Sequence, residues 1–446
     1  MEMVETKTKF QKYSAYKDSG VEWIGKIPEG WEVYRFRNVF SFRKGLNITK
    51  ENLQETGIPC INYGEIHSKF GFEVNPEIHK LKCVENGYIE KSSKSLINFG
   101  DFIFADTSED IEGSGNFTYL NSDKIAFAGY HTIIAQPSEK IRQRYVAYLF
   151  DSISFRNQIR RKVKGVKVYS ITNKILKDTI LWLPPIQERN EITNFLDNKT
   201  TKINQAIAQK EELISLLKER KQIVIQNAVT KGLNSKVKMK DSCVEWIGEI
   251  PEHWEVRRCK YLFYETSEKS EDGSEELLSV SHMTGVTTRA EKDVNMFLAE
   301  DYTGSKLCQK DDLVYNIMWA WMGALGISPQ KGIVSPSYGI YRQENSNTFN
   351  SDFLELKLKT TKYIQYYNQI STGLHSSRLR FYAHMFMDME IAYPGKKEQD
   401  EIAHFINTES TKIDQAITLQ QTQIKKLKEY KATLIDSAVT GKIKVV

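Results

Sequence analysis

The chain has 446 residues, 40% hydrophobic, 27% charged and 11% aromatic, which excludes disorder and points to two or three domains. No apolar run approaches the ~20 residues that span a bilayer, and none follows the charged start, so a cytoplasmic location without membrane partners is expected. Lys plus Arg number 62 against 57 Asp plus Glu, a net +5 that permits nucleic acid binding without demanding it. Cys60, Cys83, Cys243, Cys259 and Cys308 form no C-x-x-C pair, which excludes a zinc ribbon and a disulfide framework and leaves reduced thiols.

In chain order, Lys17 to Val33 reads KDSGVEWIGKIPEGWEV. Short apolar runs at 57–63 and 125–130, bounded by Gly, Pro, Asn and Ser, predict strands, and Ile141 to Arg161 predicts a helix. Residues 191–230 contain no Pro or Gly and predict one long helix, started by Pro184-Pro185 and stopped by Gly232. Its seam runs through Ile192, Leu196, Lys199, Ile203, Ile207, Lys210, Ile214, Leu217, Lys221, Val224 and Ala228, a near-heptad spacing with one stutter. Lys240 to Val256 then reads KDSCVEWIGEIPEHWEV, identical to the first segment at fourteen of seventeen positions. Strands are predicted from Asp312 and Gly332, a short buried strand within Met318 to Ile327, and helix over Ser351 to Ile370. Residues 401–440 match 191–230 at eighteen of forty positions and repeat the seam through Ile402, Ile406, Glu409, Ile413, Ile417, Gln420, Ile424, Leu427, Lys431, Leu434 and Ala438. Pro394-Gly395 and Gly441 bound this second helix.

The offset between the copies changes from 223 at the anchors to 210 at the helices, and the intervening segments hardly resemble each other. The expected fold is α+β: two mixed α/β heads separated by two long antiparallel coiled-coil helices, in an internal pseudo-two-fold repeat. The first head covers 1–190 with its anchor at 17–33, and the first helix 191–232. The second head covers 233–400 with its anchor at 240–256, and the second helix 401–446. Each helix follows its own head, so antiparallel pairing is the symmetric choice. The expected interface holds Ile203, Ile207, Ile214 and Leu217 against Ile413, Ile417, Ile424 and Leu427, with Ile207 and Ile417 buried together.

No catalytic constellation is evident. There is no phosphate loop, no H-E-x-x-H and no metal-ligand spacing among the eight histidines. Leu183-Pro184-Pro185-Ile186 lacks the polar first residue and aromatic last residue of a base-gripping Asn/Asp-Pro-Pro-aromatic motif. Asp352 with Glu355-Leu356-Lys357 mimics a nuclease core, but the expected reading is a solvated helix face. What stands out is basic: Phe155 to Lys167, FRNQIRRKVKGVK, has no acid. Arg160, Lys162, Lys164 and Lys167 there are candidate phosphate contacts. Arg43, Lys44 and Tyr63 lie on turn-rich segments where base-reading side chains could project. In the second head Gly373-Leu-His-Ser-Ser-Arg-Leu-Arg aligns loosely with Gly165 onward and offers His375, Ser376, Arg378 and Arg380.

The paired D-S-x-V-E-W-I-G-x-I-P-x-x-W-E-V segments, L-P-P-I-Q-E-R-N-E-I at Leu183, T-K-I-[ND]-Q-A-I and A-V-T-K-G or A-V-T-G-K together resemble the specificity subunit of type I restriction–modification enzymes. Arg189 departs from the Gln usual in that family, and Tyr393-Pro394-Gly395 replaces the second double proline. The resemblance implies a non-catalytic subunit whose heads are target recognition domains, each binding half of a split, asymmetric site in double-stranded DNA. It also implies two methyltransferase subunits docked on the helices, with restriction (motor) subunits joining them. S-adenosylmethionine, ATP and Mg would be held by those partners and no cofactor by this chain. A stand-alone bipartite DNA-binding protein or adaptor is the alternative.

Overall fold

The computed structural model describes residues 10–141, 144–165, 167–291, 301–375 and 378–445. The chain folds into two compact units, Met1–Lys210 with Thr422–Val446, and Glu211–Gln421. The boundary falls inside both long helices, Ile186–Lys231 and Lys396–Val439, so each unit holds a head, part of one helix and part of the other.

The first unit begins with the hairpin Tyr16–Asp18/Lys26–Pro28, after which Glu32–Arg35 pairs with Ile180–Leu183 just before the long helix. Its central sheet orders Phe40–Lys44, Thr132–Pro137, Phe102–Ala105 and Phe117–Leu120 antiparallel, with Glu73–Val74 added in parallel. Ile58–Ile61 and Ala126–Ala128, strands foreseen from apolar runs, sit in a second, four-stranded sheet. The core is aromatic: Phe36, Phe40, Phe102, Phe104, Phe117, Phe150 and Phe155 are buried, and the Phe150–Phe155 ring centroids are 4.6 Å apart. Such rings fill volume with few rotatable bonds and prefer tilted or edge contacts. The helix foreseen over 141–161 is two helices, Tyr145–Asp151 and Ile153–Arg160. Ser152 breaks them because its Oγ caps the second, accepting from the Phe155 amide at 3.2 Å.

The second unit repeats this plan under a different sequence. The hairpin Met239–Asp241/Glu249–Pro251 precedes Glu255–Arg258, which pairs with Glu390–Tyr393 in the same register. Its sheet orders Phe263–Glu265, Tyr338–Gln343, Leu313–Asn316 and Leu325–Ile327 antiparallel, the same four-strand order as the first. The heads therefore share a core that their sequences conceal, and the length difference collects in the connections. Helix over 351–370 is likewise split, into Ser351–Leu358 and Thr361–Ile370. Within Met318 to Ile327 the short buried strand is Leu325–Ile327, preceded by a tight turn at residues 320–322 that Gly323 ends in a left-handed conformation (φ 84°).

A shared device sits at each long-helix terminus. In the first unit the Trp31 indole donates to Glu188 in the opening turn of the first helix (3.1 Å), while its ring lies near Gly441, where the other helix ends. In the second unit Trp254 donates to Glu398 (3.2 Å) and lies near Gly232. A carboxylate in the first turn also suits the positive end of the helix dipole. The anchor Trp thus locks one helix start to the other helix's end. Arg189 donates its Nε to the Pro184 carbonyl (2.7 Å), as Gln399 at the equivalent position donates to Pro394 (2.8 Å). The two side chains close equivalent starts of the two helices.

Within the first unit Asn204 meets Lys431 and Lys210 meets Gln423; within the second Lys221 meets Asp414 at 2.7 Å, so both segments run antiparallel. Ile203, Ile207, Ile413 and Ile424 are buried, and Ile214, Leu217, Ile417 and Leu427 half-buried. This register sets Ile207 level with Leu427 in the first unit and Ile417 level with Leu217 in the second. Lys199 leaves the seam to the buried Thr200, whose hydroxyl lies 3.1 Å from the Tyr148 hydroxyl, because here the helix packs on its head. Among the described residues no helix is long and apolar enough to cross a membrane.

Candidate nucleic-acid interface

In the first head, helix Ile153–Arg160 runs into a basic loop that becomes the strand Tyr169–Ser170, paired antiparallel with Thr107–Ser108. The turn depends on Gly165, where a Cβ would sit 2.1 Å from the Val168 carbonyl oxygen. Lys164 and Lys167 are exposed on this loop, and Lys162 reaches the Asp178 carbonyl (3.0 Å) from an exposed position. Arg160 turns inward: it donates to the Glu112 carbonyl, and burial followed by the nearby Arg156 charge lowers its pKa. Arg156 is held by Asp151 (2.9 Å) and Asn116. The basic run therefore splits into a structural half and a half displayed to solvent.

Beside the loop lies a cleft of about 620 Å³ between helix Tyr63–Ser68 and the 107–116 connection, lined by Tyr63, His67, Asp110, Glu112 and Asn116 with Val168 at its rim. His67 has one consistent tautomer: Nε2 donates to the Thr107 carbonyl (2.8 Å) and Nδ1 accepts from the Asn116 amide (2.9 Å). Tyr63 presents a half-buried ring 5.3 Å from that of His131 and 5.7 Å from that of Tyr130. Lys44 is exposed at the end of its strand.

Arg43 is elsewhere. Its guanidinium donates to the Lys94 carbonyl (3.1 Å) and pairs with Asp101 (3.6 Å), a carboxylate with no exposed surface. The second head neutralises the corresponding acid, buried Asp312, with Arg342 from the neighbouring strand, at 2.8 and 2.9 Å. Asp101 and Asp312 each also cap a turn, accepting from the amides of Asn98 (3.1 Å) and Gln309 (2.7 Å). Arg43 is thus a half-buried cation neutralising a buried acid, and its candidacy as a base reader is withdrawn.

In the second head, Thr372 and Arg380 form an antiparallel bridge, and a Cβ at Gly373 would lie 2.3 Å from the Arg378 carbonyl oxygen, as one at Gly165 would meet that of Val168. Both loops thus hold a glycine where a backbone carbonyl crowds the Cβ position, although the first pairs with Thr107–Ser108 and the second with itself. His375 and Arg378 are exposed and Arg380 half-buried, while Ser376 lies outside the described residues. In each head one hydrogen bond ties the loop to the neighbouring turn: Ile171 to the Asp106 carbonyl (2.7 Å) and Phe381 to the Ile317 carbonyl (3.0 Å).

Lys357 is not on a solvated face. It is 2% exposed, donates to the Val229 carbonyl (2.8 Å) near the end of the first long helix and stands over the Trp254 ring at 4.7 Å. Glu355 meanwhile accepts from the Ile327 amide (2.8 Å), so the nuclease-like triplet is taken apart by the fold. The sequence also hid His67 and Asn116, which come together only in the cleft. The turn at Trp319 was concealed by its apolar run, although Gly323 inside that run was a usable signal.

Residues 28–214 match the family model of the type I restriction modification DNA specificity domain. The chain is 28% identical over 239 residues to the putative type I restriction enzyme MjaX specificity subunit of Methanocaldococcus jannaschii, a match spanning 52% of each chain, about half that relative's length. It is 23% identical to the MjaVIII specificity subunit of the same organism over 94% of both chains, and 24% identical to the EcoKI specificity subunit of Escherichia coli over 48% of this chain and 45% of that one. Among solved structures, a chain from a type I R-M system studied for complex assembly and conformational transition superposes with a TM-score of 0.66 at 14% identity, covering 93% of this chain and 98% of its own. The HsdS subunit from Thermoanaerobacter tengcongensis gives 0.50 at 14% identity, covering 94% and 98%.

Proposed function

We propose that this chain, which belongs to the family of type I restriction–modification specificity subunits, is the DNA-recognition subunit of such a complex and reads a bipartite, asymmetric duplex site. One head would engage each half, with Lys162, Lys164 and Lys167 on phosphates in the first and His375, Arg378 and Arg380 around the loop of the second. Partner subunits would carry out adenine methylation and restriction, in the cytoplasm, while this chain does no chemistry itself. Two methyltransferase subunits and the restriction subunits are the expected partners. The cofactors S-adenosylmethionine, ATP and Mg are assigned to them.

The observation that carries this reading is the pair of basic loops on a duplicated scaffold whose heads share a sheet order but differ in sequence. Phosphate contacts need only charge at a suitable place, whereas base readout needs distinct side chains. A duplicated frame with divergent surfaces meets both needs, and two unlike heads demand a non-palindromic site. Sequencing methylated bases in DNA from cells expressing the chain with its methyltransferase tests it. A split motif with two different halves is expected; modification without sequence preference would overturn the reading.

A further inference from the structure

We infer that the second head reads its half-site through apolar contact with thymine methyl groups, made by the turn carrying Trp319 and Met322. This rests on the DNA-recognition role proposed above and goes beyond it in naming the chemistry of one half of the site.

Trp319 is 47% and Met322 38% exposed, so the two apolar side chains stand together at the surface. The turn is held firmly. The Met322 amide donates to the Trp319 carbonyl (3.0 Å), the Trp321 indole donates to the Met318 carbonyl (2.9 Å), and the two indole rings stack at 6.1 Å. Gly323 ends it so close to Ile364 that a Cβ would lie 2.9 Å from that side chain. An apolar tip fixed in this way is arranged to meet something.

Its place identifies the occupant. The Phe381–Ile317 hydrogen bond joins the foot of this turn to the foot of the loop bearing His375 and Arg378, and Ile171–Asp106 makes the same junction in the first head. Neither 317–324 nor 371–382 contains an Asp or Glu. The surface therefore pairs cations with exposed apolar groups and has no acid of its own to repel phosphate. In the first head the corresponding connection instead carries Glu109, Asp110 and Glu112 above the polar cleft. Hydrogen-bonding groups read donors and acceptors on base edges, whereas the carbon face of an indole and a methionine thioether chiefly offer apolar surface. The apolar group that a base pair offers in the major groove is the thymine 5-methyl.

The test uses the complex of the full chain with its methyltransferase and duplexes carrying its methylated motif. Thymines are replaced by deoxyuridine in one half at a time, which removes only the methyl group. Binding of the wild-type complex should weaken about fourfold per contacted methyl in one half. Trp319→Ala should bind more weakly, alter the motif in that same half and lose its response to deoxyuridine. Equal wild-type binding to thymine and deoxyuridine duplexes overturns the inference without disturbing the recognition role, and needs no variant that might misfold. So does Trp319→Ala retaining the response, or losing the methyltransferase while still binding DNA as before, which would make the patch a protein interface. If the wild-type complex methylates without sequence preference, the recognition role itself fails and this inference with it.

Discussion

Cys243 shows how the duplication exposes a local cost. It occupies the position of Gly20, and both residues adopt left-handed backbone, φ 58° and 72°. Their amides donate to Asp241 and Asp18 in the same turn, at 2.9 and 2.8 Å. A side chain in that region is penalised by steric contact with the backbone. Cys243→Gly should therefore stabilise the chain by about 1 kcal/mol, read as a higher urea midpoint with unchanged slope. Lys357 carries a different cost. Burial, followed by the Lys362 charge, pushes its pKa down from 10.5 to about 7 in the folded chain. The unfolded chain then binds more protons between these values, so this lysine's contribution to stability rises with pH across that window and is flat below it. Lys357→Met should remove that rise, seen as the difference between wild-type and variant urea midpoints at pH 7 and pH 9.5. A parallel pair of profiles would show that the lysine stays charged beneath Trp254.

At the level of elements, the long helices draw stability from packing rather than from propensity alone. Ile207 is buried, and Ile207→Asp should cost several kcal/mol because an unpaired carboxylate replaces an apolar contact. Chemical denaturation of the variant checks this; a midpoint equal to wild type would remove Ile207 from any buried seam. The basic loop of the first head invites the opposite experiment, one on binding without stability. Replacing Lys162, Lys164 and Lys167 with Ala should weaken binding to all duplexes alike and reduce the slope of log K against log salt by about 2 to 3. Arg160 and Arg156 are left out of that set because their hydrogen bonds hold the fold.

For the whole chain, the repeated anchors and helix termini separate scaffold from reading. Exchanging residues 34–190 for the corresponding head of a relative should change one half of the methylated motif and leave the other intact. Four residues inserted near Gln209 lengthen that helix by about 6 Å, and the gap between half-sites should grow by one or two base pairs at ~3.4 Å each. Both outcomes are read by sequencing methylated bases. Loss of preference in both halves after the head exchange would mean that the heads read DNA jointly.

The internal duplication and the two long helices were legible in the sequence, because an apolar period, a Pro start and a Gly stop are local signals that need no partner; the helices begin at Ile186 and Lys396, five residues before the expected 191 and 401, directly after the Pro signals. The loose match of Gly165 with Gly373 was legible too, since only glycine fits where a carbonyl occupies the Cβ position. The common sheet of the two heads was not, because sheet order arises from non-local pairing that different apolar residues satisfy equally well. Charge was the poorest guide. Arg43 and Lys357 look on paper like any surface cation, yet one neutralises buried Asp101 and the other caps the Val229 carbonyl. Whether a cation faces water or an interior partner depends on which strands and helices the fold brings beside it, and that was decided by tertiary structure alone.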